Sequence, residues 1–328
     1  MSRTPRTTSG RSRRTPIARP LLYALLIIVG LAYALPLVWM ASTSLKPANE
    51  ALSQSIGLLP DLGPTSSAST PALAGEVSRA KLGGQATEGV SAPWYPTRLA
   101  KQIQQNYSDV LDSPIADFRK YLRNSLVVST LSVLGMTLSS AIVAYGFSRI
   151  RWRGRDTTFL LVLATMMIPF TVIMAPQYLL FKHLGWIGSL RPLWVPAWFG
   201  GAFSIFLLRQ FLMGIPRELD EAARLDGCTH WGTFRHIILP LARPALVVVA
   251  LLQFIATWND FAAPLVFLNH QDTFTAALGL HMYQTEHTTT PWNLVMAASV
   301  MVIAPLLIVF LLAQKALIDG VATQGLKE

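Results

Sequence analysis

Long apolar runs alternate with short polar segments along most of this 328-residue chain. A helix needs about 20 consecutive apolar residues to cross the hydrocarbon layer of a bilayer, and several of the runs reach that length. We therefore predict an all-α polytopic membrane protein with six transmembrane helices. Their predicted ranges are 21–43, 124–147, 159–180, 193–212, 244–268 and 294–312.

The polar segments divide the chain into five parts. Residues 1–19 contain six arginines and no acid, which predicts a disordered basic tail near anionic lipid headgroups. Residues 20–45 hold the first helix, and 46–118 form a long extracytoplasmic segment with a flexible Ser/Gly/Ala/Pro-rich insertion near 63–92. The membrane core spans 119–317, and 318–328 form a C-terminal cytoplasmic tail.

The distribution of arginine predicts the orientation. The tail, the loop 148–157 and the loop 214–243 hold six, four and four arginines, whereas the loop 269–293 contains neither lysine nor arginine. Because short cytoplasmic loops are enriched in positive charge, both termini are expected in the cytoplasm. The net charge of +10 therefore reflects membrane topology and not nucleic-acid binding.

The loop 214–243 contains signals for two short helices. Pro216 suits a first helical turn, and the acids that follow it favour the positive end of a helix dipole. Gly227 is placed to end that helix, and Thr229 can cap a second one. These residues predict a helix–turn–helix projection, which by itself would also describe an ordinary amphipathic surface hairpin.

The spacing within this loop is more specific. Glu221-Ala222-Ala223, then three residues, Gly227, then nine residues and Ile237-x-Leu239-Pro240, resembles the EAA motif of permease subunits in binding-protein-dependent ABC importers. The resemblance implies the type I ABC importer permease fold, with this loop as the coupling helix that enters a cleft of a separate ATPase. Glu221 would then contact a basic residue of that ATPase, and Gly227 would permit the bend between the helices.

The rest of the chain from about Tyr107 onward resembles the carbohydrate branch of this family, close to the smaller permease of the maltose/trehalose type. The stretches that carry this resemblance include 124–129, 144–149, 167–169 and 258–261. Residues 48–100 depart from the family pattern because they are longer than its usual outer segment.

The resemblance also implies the partners. They are a second permease subunit, two ATP-binding subunits and an extracytoplasmic solute-binding protein, assembled in the bacterial cytoplasmic (inner) membrane. No lysine is followed by Ser or Thr, so the chain has no phosphate-binding loop of the GxxxxGK[ST] type. We predict no catalytic residues and no cofactor in this chain, with ATP and Mg²⁺ bound by the partner ATPase.

Aromatic and amide side chains are the groups that recognise sugars, because ring faces stack on apolar sugar faces and amides bind hydroxyls. The candidates for the translocation path are Trp258, Asn259, Asp260, Gln177 and Tyr178, with Trp194 and Trp198 as weaker ones. Asp260 is the only acid inside a predicted membrane helix, so it either lines the path or pairs with a polar group of a neighbouring helix. Trp and Tyr near a membrane boundary also serve as interface anchors.

Other interpretations concern the cargo, the energy source and the outer loop. The expected cargo is a di- or oligosaccharide, with glycerol-phosphate or another polyol as the alternative. An ion-coupled secondary transporter is the other alternative, which predicts paired intramembrane acids and an internal repeat. His281, Glu286 and His287 follow no metal-ligand spacing, so no metal site is predicted. The resemblance implies that this outer loop, through Thr288 to Pro291, reaches into the docked binding protein.

Overall fold

A computed structural model describes residues 18–52, 57, 60, 95–113, 116–285 and 291–325. The basic tail before residue 18, the predicted insertion, residues 286–290 and the last three residues lie outside this set. The predictions made for those segments therefore remain predictions.

The described residues form fifteen α-helices. The first eight are α1 (Ala18–Ser44), α2 (Ala48–Leu52), α3 (Tyr95–Leu111), α4 (Phe118–Ser148), α5 (Arg155–Thr165), α6 (Phe170–His183), α7 (Arg191–Trp194) and α8 (Ala202–Met213). The others are α9 (Glu218–Leu225), α10 (His230–Thr233), α11 (Leu239–Leu241), α12 (Arg243–Trp258), α13 (Ala262–Phe267), α14 (Ala276–Thr285) and α15 (Trp292–Gly325). Turns of 3₁₀-helix cover Val195–Phe199 and Gln271–Thr273, and a π-helical turn covers Phe234–Ile238.

Within these described residues, four helical segments are long and apolar enough to cross a membrane, and two bent pairs raise the number to six. The four are Pro20–Ser44, Phe118–Ser148, Arg191–Met213 and Trp292–Lys315. The pairs are α5 with α6, bent by 95°, and His230–Leu241 with α12, bent by 76°. The prediction of an all-α polytopic membrane protein is confirmed.

The breaks differ from the predicted continuous helices. The predicted helix 159–180 is divided between α5 and α6, because Pro169 adopts an extended conformation with ψ 146°, while Pro176 stays inside α6. The predicted helix 244–268 ends at Trp258 and resumes at Ala262. The last helix is longer than predicted, since α15 continues without a break past residue 317 to Gly325.

α4 lies at the centre of the bundle and packs against α8, α12 and the 3₁₀ turn Val195–Phe199. Its packed face consists largely of small residues, which allow close approach of helix backbones in a membrane. The buried small residues are Ser125, Ser129, Ser132, Gly135, Ser140, Ala141, Ala144 and Ser148.

The polar segment before α4 is attached to the core at one end of the bundle. The Asn106 side chain of α3 donates to the carbonyl oxygens of Ser44 (2.8 Å) and Lys46 (3.0 Å), and it accepts from Nδ2 of Asn293 (3.2 Å). The end of α1, α3 and the start of α15 therefore meet at this residue. Since α1 and α15 pack along one another, the start of α1 and the end of α15 point to the opposite end of the bundle, where α4 ends.

Candidate functional site

The first helix of the loop 214–243 is α9, and both of its ends follow from local sequence. Three acids, Glu218, Asp220 and Glu221, occupy its first turn, where the helix dipole favours negative charge. Pro216 lies two residues before the helix and not in its first turn, which corrects the predicted start.

α9 ends in a Schellman motif. The N–H of Cys228 donates to the carbonyl of Ala223 (2.9 Å) and the N–H of Gly227 donates to that of Arg224 (3.0 Å). Gly227 has φ +81°, a left-handed conformation that costs other residues energy. The predicted bend at this glycine is therefore present in the structure.

The second half of the loop begins at Thr229. Its Oγ1 accepts the N–H of Gly232 at 3.2 Å, which confirms the predicted N-terminal cap of α10. The helix then widens into the π-helical turn Phe234–Ile238, where the N–H of Leu239 bonds to the carbonyl of Phe234. Turns of this kind are frequent at functional sites.

A buried ion pair attaches α9 to the bundle. The guanidinium of Arg149, directly after α4, lies with Nη1 2.8 Å from Oδ2 of Asp220. Its Nη2 donates to the carbonyl oxygens of Leu212 (2.6 Å) and Ile215 (2.8 Å), at the end of α8. The exposed fractions of the two charged side chains are 4% and 14%. One arginine thus joins α4, α8 and α9.

An apolar contact attaches the second half of the loop to the same helix. The ring of Phe234 lies 5.1 Å from that of Tyr145, one helical turn before Arg149. Phe234 and Ile238 belong to a buried cluster with residues of α4, α8 and α12. Both halves of the loop are therefore held by the last turn of α4.

Some residues of the EAA spacing are buried against the bundle, and others lie on the outer surface of the loop. Ala223 is buried, Ile237 and Leu239 are half-buried, and the exposed members are Glu221, Ala222, Gly227 and Pro240. Leu225 and Trp231 are also exposed, by 90% and 59%. The loop therefore presents an acid, a small side chain and two large apolar side chains outward. Such a surface fits a protein partner.

A cleft of about 350 Å³ lies between this loop and the end of α4. Its charged lining consists of Arg149, Arg151, Arg217, Asp220, Glu221, Arg224 and His230. Four arginines against two acids make this cleft basic at neutral pH.

The predicted path residues Trp258 and Asn259 lie at the C-terminal end of α12, apart from the loop 214–243. Trp258 is 2% exposed, its Nε1 donates to the carbonyl of Val302 (2.9 Å) and its ring stacks on Phe254. Its ring is therefore covered by protein in this structure, and its place on the path stays a prediction. Asn259 is exposed, and its Nδ2 donates to the carbonyl of Ile255 at 2.9 Å.

Asp260 lies in the break between α12 and α13 and not inside a membrane helix, which corrects the sequence prediction. Its Oδ1 accepts the N–H of Ala263 at 3.2 Å, so the carboxylate caps the start of α13. Helix starts carry unpaired N–H groups, and aspartate is among the residues preferred there. The half-burial of Asp260 leaves part of the carboxyl group accessible.

The remaining path candidates lie on other elements. Gln177 and Tyr178 are half-buried on α6. Trp194 and Trp198 meet edge to face with ring centroids 6.4 Å apart, and Trp198 covers Gly135 of α4, where a Cβ would overlap its ring. The ring of His281 lies 5.1 Å from that of Phe261. The part of the chain that the structure describes contains no cluster of three His, Cys, Asp or Glu able to hold a metal ion.

Sequence reasoning missed the residues that hold the loop in place. Arg149 was assigned to the topological charge of its segment, and Asp220 to the dipole of α9. Tyr145 and Arg149 are four residues apart, so they share a face at the end of α4. This spacing was the available signal that the end of α4 offers a ring and a charge to another element. Phe234 and Ile238 have the same four-residue spacing on the other side of the contact.

Comparison with known proteins places this geometry in a family. Residues 132–323 match the family described as "Binding-protein-dependent transport system inner membrane component". The trehalose/maltose transport system permease protein MalG of Thermococcus litoralis is 36% identical over 229 residues, covering 69% of this chain and 82% of that protein. The arabinooligosaccharides transport system permease protein AraQ of Halalkalibacterium halodurans is 37% identical over 204 residues, covering 62% and 72%.

A solved structure has the same fold. It is a chain of a bacterial ABC transporter involved in the import of the acidic polysaccharide alginate, with a TM-score of 0.71 and 22% identity over 94% of this chain and 99% of that one. The fold, the helix–turn–helix loop with its EAA spacing and the family match agree. This chain belongs to the family of membrane-spanning permease subunits of binding-protein-dependent ABC transport systems.

Proposed function

We propose that this chain is one permease subunit of an ATP-driven importer for a di- or oligosaccharide, and that α9 is its contact with a separate ATPase. The observation that carries the proposal is the loop of residues 214–243. It combines an outward surface of Glu221, Ala222, Leu225 and Trp231 with a buried attachment to α4. A loop built only to connect two helices needs neither feature.

The cargo is inferred from the relatives. MalG of T. litoralis and AraQ of H. halodurans are named for trehalose/maltose and for arabinooligosaccharides. Both names denote neutral sugars of two or more units. This agreement favours a saccharide over glycerol-phosphate or another polyol.

The proposed assembly is supported by the apolar side chains that one subunit leaves exposed. The apolar side chains of α1, such as Tyr33, are exposed by up to 82%, and the side chains of α5 and α6 are largely exposed as well. A second permease and the lipid of the bacterial cytoplasmic membrane would cover these faces. Two ATP-binding subunits would bind ATP and Mg²⁺ beneath the two coupling loops, and an extracytoplasmic binding protein would deliver the sugar.

Transport would proceed by alternating access. Closure of the ATPase pair on ATP would draw α9 inward, and the buried attachment would carry that displacement to α4. Both termini would lie in the cytoplasm, on the side of the arginine-rich loops. The unwound segment between α12 and α13 supports a place on the path for Asn259 and Asp260, because non-helical backbone within a membrane is found where it lines a cavity or is buried in protein. Gln177 and Tyr178 are the candidates on α6.

The test is uptake in a reconstituted complex. This chain would be purified with the partner permease, ATPase and binding protein of its organism and placed in proteoliposomes. We expect ATP-dependent uptake of one of the radiolabelled sugars maltose, trehalose or arabinotriose. Uptake that needs an ion gradient and no ATPase would overturn the proposal in favour of a secondary transporter.

Variants in α9 test the contact with the ATPase. Glu221→Ala should lower the amount of ATPase that co-purifies with the permease pair. Glu218→Ala is the matched control, because Glu218 is an exposed acid of the same helix that lies outside the motif. Equal retention of the ATPase by both variants and the unmodified chain would show that Glu221 does not contribute to the contact.

A further inference from the structure

Resting on the proposed function, we infer that Arg149 is a positioning residue that fixes α9 to α4, so that the two helices move together when the ATPase displaces the loop. The surface of α9 that faces outward is a separate feature. Arg149 contacts the buried side of the loop through Asp220, and because its side chain is 4% exposed it would not touch the ATPase, ATP or the sugar.

The geometry of Arg149 requires an arginine. Its guanidinium donates to three acceptors at 2.6–2.8 Å. They are the carboxylate of Asp220 on α9, the carbonyl oxygen of Leu212 in the last turn of α8, and that of Ile215 just after α8. Those carbonyls lie at a helix end, where the last four carbonyl groups have no partner within the helix. A lysine ammonium is a compact point charge and cannot reproduce the planar fork that reaches all three.

Burial makes this connection stiff. The ion pair of Arg119 with Asp112 has the same 2.8 Å distance, but both side chains are 63% exposed, and exposed pairs contribute little. At Arg149 the exposed fraction is 4%. If α9 slid past α4, a buried charge would lose its partner, which is strongly unfavourable.

The apolar contact of the second half of the loop differs in this respect. The rings of Tyr145 and Phe234 stay in contact over a range of positions, because hydrophobic contacts are non-directional. The polar contact of Arg149 therefore specifies the position of α9, while the apolar contact packs Phe234 and Ile238 into the buried cluster of the bundle. Loss of Arg149 should loosen the transmission of movement without removing the loop.

The experiment measures sugar transported per ATP hydrolysed in the reconstituted complex. The variants are Arg149→Lys and Asp220→Asn, and the matched controls are Arg153→Lys and Asp226→Asn, since Arg153 and Asp226 are exposed residues of the neighbouring segments. We expect the first pair to lower the transport-to-hydrolysis ratio by about tenfold, a usual size for the energetic coupling between two sites of a protein. The amount of co-purified ATPase and its basal hydrolysis should not change, and the controls should match the unmodified chain.

Two outcomes would overturn the inference. One is an unchanged transport-to-hydrolysis ratio in Arg149→Lys and Asp220→Asn. The other is a loss of co-purified ATPase from a permease pair that still assembles, which would place Arg149 or Asp220 in the contact with the ATPase. If the unmodified complex showed no ATP-dependent uptake, the proposed function would fail instead, and this result is distinct from both.

A double variant covers the case in which the single variants do not assemble. Arg149→Met with Asp220→Leu leaves no unpaired buried charge, and such apolar replacements are often neutral for stability. We expect it to assemble and to show the same lowered ratio. A ratio equal to that of the unmodified complex would contradict the positioning role.

Discussion

The ring centroids of Tyr145 and Phe234 lie 5.1 Å apart, with the ring planes inclined by 51°, and they join the last turn of α4 to the second half of the loop 214–243. Phe234 is 5% exposed and also contacts Trp231, whose ring lies 5.4 Å away on the outer side. The three aromatic rings therefore form a continuous contact from the bundle to the surface of the loop. The inner and outer rings of this contact are expected to have different roles.

Phe234→Ala should destabilise the protein by about 3–5 kcal/mol, because it removes a buried aromatic side chain and leaves a cavity. Trp231→Ala is the control, since that ring is 59% exposed and should cost roughly 1 kcal/mol or less. Thermal unfolding in detergent, followed by circular dichroism, measures both. Equal losses of stability would contradict the assignment of Phe234 as the inner anchor.

Gly227→Ala should cost roughly 1–2 kcal/mol, because the left-handed conformation at φ +81° strains a residue with a Cβ. The cost is conformational only, since no atom lies within 4 Å of the added Cβ. Gly146→Ala is the matched control, as its Cβ also meets open space but its helical backbone favours alanine. Thermal unfolding should separate the two variants, and an equally stable Gly227→Ala protein would show that the bend tolerates other conformations.

Asn106→Ala should weaken the attachment of α3, because the buried carbonyls of Ser44 and Lys46 would lose their donor, at about 1–3 kcal/mol for each unsatisfied group. Gln102→Ala is the control, since Gln102 makes one hydrogen bond to this amide, at 2.9 Å. We expect faster tryptic cleavage within α3 for Asn106→Ala and a smaller change for Gln102→Ala. Unchanged cleavage in both would mean that apolar contacts alone hold α3.

Asp117 should give a pH-dependent contribution to stability. Burial acts to raise the pKa of its carboxyl group, but the backbone N–H and the ammonium of Lys120, both hydrogen-bonded to it, lower that pKa below its usual 3.8. A group with a lowered pKa in the folded state stabilises the fold above the unfolded-state pKa, and that stabilisation is lost as the pH falls through the folded-state value. Below about pH 4 the unmodified chain should therefore lose stability more steeply than Asp117→Asn.

The comparison of Asp117 variants also separates charge from helix capping. Asn keeps a side-chain oxygen for the Lys120 N–H, whereas Asp117→Ala removes the cap and should cost about 1 kcal/mol at neutral pH. The measurement is the unfolding midpoint between acidic and neutral pH. Parallel pH profiles for the unmodified chain and Asp117→Asn would exclude a contribution from the charge.

The helices, and the cap and bend within the loop 214–243, were predictable because their causes are local. Apolar runs of membrane-spanning length predict helices wherever they occur. Thr229 and Gly227 act through the backbone within three to five residues, so their cap and bend could be recognised from spacing alone.

The breaks in the apolar runs were harder to predict. Pro169 lies at the break before α6, whereas Pro176 lies inside α6, although both belong to one apolar run. The break at Asn259 and Asp260 precedes Pro264, which cannot donate to the carbonyl of Asp260 and whose ring would clash with it in a continuous helix. Neighbouring helices decide such cases, because they determine whether freed backbone groups find other partners.

The sequence by itself determined the membrane-spanning helices, the family resemblance, and the cap at Thr229 and bend at Gly227 in the loop 214–243. Only the tertiary structure decided which residues hold that loop. Arg149 and Asp220 are 71 residues apart in the chain and meet because α4, α8 and α9 converge at one end of the bundle. Hydrophobic and positional patterns describe each helix separately, whereas a buried ion pair depends on the relative placement of several helices.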